Sequence, residues 1–81
     1  MMNRQVEHIQ DRIAQSGTVT VFLFDGRLRV LPAAHERVDT FLRDKIFRDL
    51  CVGTYDKDAK SGWIESDLRA TARGESITTT A

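Results

Sequence analysis

Thr18-Val19-Thr20-Val21-Phe22-Leu23-Phe24-Asp25-Gly26-Arg27-Leu28-Arg29-Val30-Leu31 is the segment on which the architecture turns. Its first half is dense in β-branched and aromatic residues, which suit a pleated, half-buried surface. Asp-Gly between two such runs is a preferred two-residue hairpin turn, because both turn positions need positive φ. A loop that short sets the register. Phe24 faces Arg27, Leu23 faces Leu28, Phe22 faces Arg29 and Val21 faces Val30. Side chains alternate across a strand, so Val19, Val21, Leu23, Leu28 and Val30 form an aliphatic face. Thr18, Thr20, Phe22, Phe24, Arg27, Arg29 and Leu31 form the other.

Helical patterns flank the hairpin. Upstream, Met2, Val6, Ile9 and Ile13 recur at helical spacing, with Asn3 as N-cap and Gly17 as the stop, so residues 3–16 read as a helix. Downstream, Pro32 suits the first turn of a helix, and residues 33–50 read as one longer amphipathic helix. Its arc of Ala34, Val38, Phe41, Leu42, Ile46 and Leu50 is expected to pack on the aliphatic hairpin face. Gly53 ends that helix, and residues 54–62 read as a polar loop. A short helix follows from about Ser61 to Arg73, stopped by Gly74. The tail Ser76-Ile77-Thr78-Thr79-Thr80 has strand composition and is a candidate third strand. The expectation is a small α+β fold in a single domain spanning residues 1–81, too short for two.

Composition narrows the function. Leu, Ile, Val and Phe make up 21 of the 81 residues, enough for a folded core. Twelve basic and 12 acidic side chains cancel, which argues against a strongly basic nucleic-acid-binding chain. The longest uncharged run before the tail, Ile13 to Phe24, is too short to span a bilayer, and the N-terminus does not read as a signal peptide. No membrane association is expected. A single cysteine, Cys51, fits a reducing, cytoplasmic setting. Arg outnumbers Lys 9 to 3, a bias that genome composition alone can produce.

Several chemistries fall away. Asp56-Lys57-Asp58-Ala59-Lys60-Ser61-Gly62-Trp63-Ile64-Glu65 resembles an EF-hand calcium loop. Counted from Asp56, however, Lys60 takes a ligand place, Ser61 replaces the loop glycine and Asp67 replaces the closing glutamate. His35 and Asp39 share one side of a helix, but Cys51 is out of their reach along it, so no nucleophilic set forms. His8, His35 and Cys51 have no zinc-ligand spacing. The carboxylates of Glu36, Asp44 and Asp49 alternate with Arg37, Arg43, Lys45 and Arg48, as on a solvated helix face. The five glycines are isolated, so there is no phosphate-cradling loop. No cofactor, no metal and no enzymatic activity are expected.

One surface remains. Phe22 opposite Arg29 and Phe24 opposite Arg27 gather two rings and two guanidinium groups, since opposed side chains stand about 5 Å apart at Cβ. Aromatic residues and Arg dominate protein-binding hot spots. Phe47 lies outside the helical arc and joins the set, unless it packs on Trp63 or Tyr55. The candidate partner-binding residues are therefore Phe22, Phe24, Arg27, Arg29 and Phe47. In the competing arrangement a helix covers Phe22 and Phe24 while the arginines reach out along its edge.

The expected function is that of a non-enzymatic protein that binds another protein. It would be an inhibitor or regulator of host machinery, of the kind found among small phage and mobile-element proteins, or an assembly subunit. A homodimer is a second arrangement. A nucleic-acid-binding module, stacking bases on the rings, is the alternative.

Overall fold

The hairpin forms in the register its turn dictates. In the computed structural model, which describes residues 3–74, β1 (Val19–Phe24) and β2 (Arg27–Pro32) pair antiparallel. Phe24 opposes Arg27, Leu23 opposes Leu28, Phe22 opposes Arg29 and Val21 opposes Val30. Asp25 and Gly26 take φ of 51° and 75°, the doubly left-handed bend that matches strand twist.

The first helix, α1 (Arg4–Ser16), begins at Asn3, whose side chain accepts from the Gln5 amide, and stops at Gly17. It buries Val6, Ile9 and Ile13; Met2, placed on the same stripe by its spacing, lies outside the described residues.

The single helix expected over 33–50 is two helices. Pro32 is the last residue of β2, not the opening of a helix, and α2 (Glu36–Arg43) starts behind a His35 cap. Asp44 then adopts an extended conformation, with φ of −87° and ψ of 121°, and α3 (Lys45–Asp49) follows. The cause is local. The Asp44 carboxylate accepts from the Ile46 amide at 2.9 Å, so it caps a new helix and does not continue the old one.

A third strand, β3 (Cys51–Tyr55), lies in a segment read from sequence as a helix end and loop. It pairs antiparallel with β1, giving the order β2-β1-β3. The tail assigned as candidate third strand lies outside the described residues. Between Val21 and Phe22 the pairing shifts, because Val52 is an extra residue opposite β1. Both edge strands run antiparallel to β1, so β2 and β3 are parallel to each other, and α2 and α3 form the crossover between them.

The last helix, α4 (Ser61–Ala72), ends where the sequence places its stop. It joins α1 against the aliphatic face of the sheet. Val6, Ile9, Ile13, Val19, Val21, Leu23, Val30, Val52, Tyr55, Ile64 and Leu68 form this core. Burying such side chains contributes about 1.5–3 kcal/mol each. The expectation that the 33–50 segment covers this face is overturned, because α1 and α4 already occupy it. The pair α2–α3 lies on the opposite face, where it buries Val38, Phe22 and Cys51. Ile46, assigned to the core by its spacing, is 70% exposed. The sheet is therefore sandwiched between two helical layers, in a small α+β fold.

Candidate functional site

The four residues that sequence groups on the hairpin and Phe47 from the following helical segment line one groove. Phe22, Phe24, Arg27, Arg29 and Phe47 all line it, together with Leu31, Arg37, Phe41 and Leu50, around a volume of about 410 Å³. That lies toward the lower end of the range for ligand pockets, roughly 300–1,000 Å³.

The floor is aromatic. Phe41, on α2, meets Phe22 edge to face, with ring centroids 5.6 Å apart and planes at 83°. Phe47, on α3, stacks on Phe41 at 4.8 Å and 27°. Six residues of continuous helix would place Phe41 and Phe47 about 120° apart around the axis. The extended Asp44 resets that phase and brings both rings to one side. Phe47 thus finds Phe41, and neither Trp63 nor Tyr55.

The five sequence-assigned residues divide by exposure. Phe22 is 3% exposed and belongs to the fold, covered by Phe41 as in the competing arrangement. Phe24 is not covered: it is 56% exposed at the hairpin end. Arg27 and Arg29 are exposed beside it, on a strand that forms the edge of the described sheet.

Leu31, Arg37, Phe41 and Leu50 are the lining residues that sequence reasoning missed, and Arg37 and Phe41 both come from α2. They are four apart on α2 and so share a side. Their signal was masked by assigning α2 to the wrong face of the sheet. Arg27, Arg29 and Arg37 are exposed, and none makes an ion pair or side-chain hydrogen bond among the described residues. By contrast Arg43 pairs with Asp39 at 3.2 Å, and Arg69 with Glu65 at 3.9 Å. Among the described residues no acidic side chain lines the groove.

The other chemistry-bearing groups are used structurally. His35 Nδ1 accepts from the Arg37 amide at 3.1 Å. Asp56 Oδ1 accepts from the Asp58 amide at 2.9 Å, which makes an Asx turn of the calcium-like loop. The Lys60 ammonium sits 5.6 Å from the centre of the Trp63 ring. Burial holds the Cys51 thiol above its ordinary pKa, against a smaller opposing effect of its hydrogen bond with the Gly53 backbone. Tyr55 is raised further by burial, by donating to Asp67 at 2.6 Å, and by the charges of Asp67 and Cys51. A raised thiol is a poor nucleophile. No described helix is long and apolar enough to cross a membrane.

No family model, curated protein or solved structure matches the chain.

Proposed function

We propose that this chain is a non-enzymatic binding protein that captures another protein on the Phe/Arg groove. The observation that carries the reading is the pairing of an open aromatic hollow with three arginines that have no side-chain partner among the described residues. Rings and guanidinium groups supply large, pre-shaped contact area, and such residues carry most of the energy in protein interfaces. The groove is built from strands and helices, so little order is lost when a partner seats. An inhibitor or regulator of cellular machinery, or a subunit of an assembly, would use a surface of this kind.

The test compares three baits in cells that make the chain: the unaltered protein, Phe24→Ala and Arg29→Ala. Both side chains are exposed, so the far-ultraviolet dichroism of all three should coincide. A protein recovered with the unaltered bait and lost from both variants is the expected result. Identical recovery from all three overturns the assignment of the groove. Recovery of nucleic acid alone would replace a protein partner with an RNA or DNA one.

A further inference from the structure

We infer that the occupant of the groove is an acidic segment of the partner, with one aromatic or long aliphatic side chain seated on the rings and carboxylates on Arg27, Arg29 and Arg37. The inference rests on the protein-binding reading above and adds the chemistry of the partner.

Charge complementarity is the first argument. Among the described residues the wall of the groove holds three cationic groups and no carboxylate. Guanidinium groups bind carboxylates through two parallel hydrogen bonds, a geometry that no apolar partner satisfies. The aromatic floor asks for the opposite chemistry. Phe24 and Phe47 offer apolar surface, and the hollow of about 410 Å³ has room for a large side chain. An acidic segment with an apolar anchor satisfies both.

The same charges disfavour the other occupants. A second copy docking groove to groove would set arginine against arginine, since a two-fold interface brings each patch onto itself. A nucleic-acid strand would need a basic track beyond the groove. Instead, exposed Asp25, Glu36 and Asp49 stand next in sequence to the lining residues Phe24, Arg37 and Leu50. The basic groups of the groove thus do not run on into an unbroken basic stretch of sequence of the kind a phosphate backbone would follow, whereas a short acidic segment needs only the three arginines.

The test is a selection of phage-displayed random dodecapeptides on the folded full chain, followed by titration of the enriched sequences as synthetic peptides. The expected peptides carry two or more Asp or Glu close to an aromatic or aliphatic residue. Their affinity should fall about tenfold or more for Arg29→Glu, for Phe24→Ala, and for the peptide with Gln in place of Glu. It should also weaken as salt is raised. Neutral or basic peptides that still depend on Phe24 would overturn the acidic partner and leave the protein-binding groove intact. Enriched peptides indifferent to both Phe24→Ala and Arg29→Glu, or no enrichment at all, would overturn both readings. So would tighter binding of an oligothymidylate than of any peptide. Coincident dichroism spectra of the variants guard against loss of fold.

Discussion

The ring of Tyr55 lies across Gly53, with its hydroxyl oxygen 2.6 Å from the point where a Cβ on Gly53 would stand. The bulge at Val52 puts both residues on the core face of β3, where the glycine leaves the space that the ring fills. Gly53→Ala should therefore displace the ring and destabilise the protein by about 1–3 kcal/mol in urea unfolding. Combining it with Tyr55→Phe should be less costly than the sum of the two. The shorter ring relieves the closest contact, although its para carbon would still sit near 2.8 Å.

Stability should fall on the alkaline side. Tyr55 and Cys51 both have raised pKa values in the folded chain, against ordinary values of 10.0 and 9.0. Above those values the unfolded chain has lost protons that the folded chain keeps. The stabilisation is thus complete below about pH 9 and declines above it, by at most about 1.4 kcal/mol per pH unit for each group, from the ionisation of its unfolded form until its folded form ionises in turn. Urea midpoints measured from pH 8 to pH 11 should show the decline, and Tyr55→Phe should remove the part that begins near pH 10. A flat profile would contradict the burial of both groups.

Cys51 should react slowly. It is buried in β3 with its pKa raised, so an aromatic disulfide reagent at pH 8 should modify it far more slowly than a free thiol. Urea should restore the ordinary rate. Fast modification of the folded chain would mean that the α2–α3 layer opens readily.

That layer depends on Phe41 and Asp44. Phe41→Ala removes the ring that touches both Phe22 and Phe47. A loss of about 2–4 kcal/mol is expected from unfolding curves, with faster amide exchange in α2 and α3 than in α1. Asp44→Ala removes the cap on α3 and should cost about 1 kcal/mol. It should also weaken peptide binding, because Phe47 is held in place by that turn.

The hairpin, α1 and α4 were legible in the sequence because each carries its own punctuation. Asp25-Gly26 sets a register, and Asn3, Gly17 and Gly74 mark helix ends. The break at Asp44 was hidden because Phe41, Leu42, Ile46 and Leu50 keep helical spacing across it. The capping role of Asp44 was written there, but among Arg43, Lys45 and Arg48 it reads as one more surface charge. β3 was hidden because it is five residues long with Gly53 at its centre, a residue that weakens strands and stops helices. Once β3 is missed, the layer order inverts, since nothing then obliges α2 to cross the face that carries Phe22. Phe22, Phe24, Arg27 and Arg29 share one side of the hairpin whatever the layer order, because that follows from its register alone, whereas Phe47 joins them only through the break at Asp44. What could not be read was which ring is spent on the fold (Phe22) and which is left outside (Phe24), as this depends on where Phe41 lands.

The crossover from β2 to β3 carries a consequence for synthesis. A nascent chain released only as far as residue 50 already holds the hairpin, both arginines of β2 and the rings of α2 and α3. It lacks the strand that moors the far end of the helical lid beside Phe22. Pairing of Cys51–Tyr55 with β1 extends the hold that the Leu23 amide already has on the Leu50 carbonyl, so a chain cut at residue 50 should fix the wall that Phe47 and Leu50 supply less firmly.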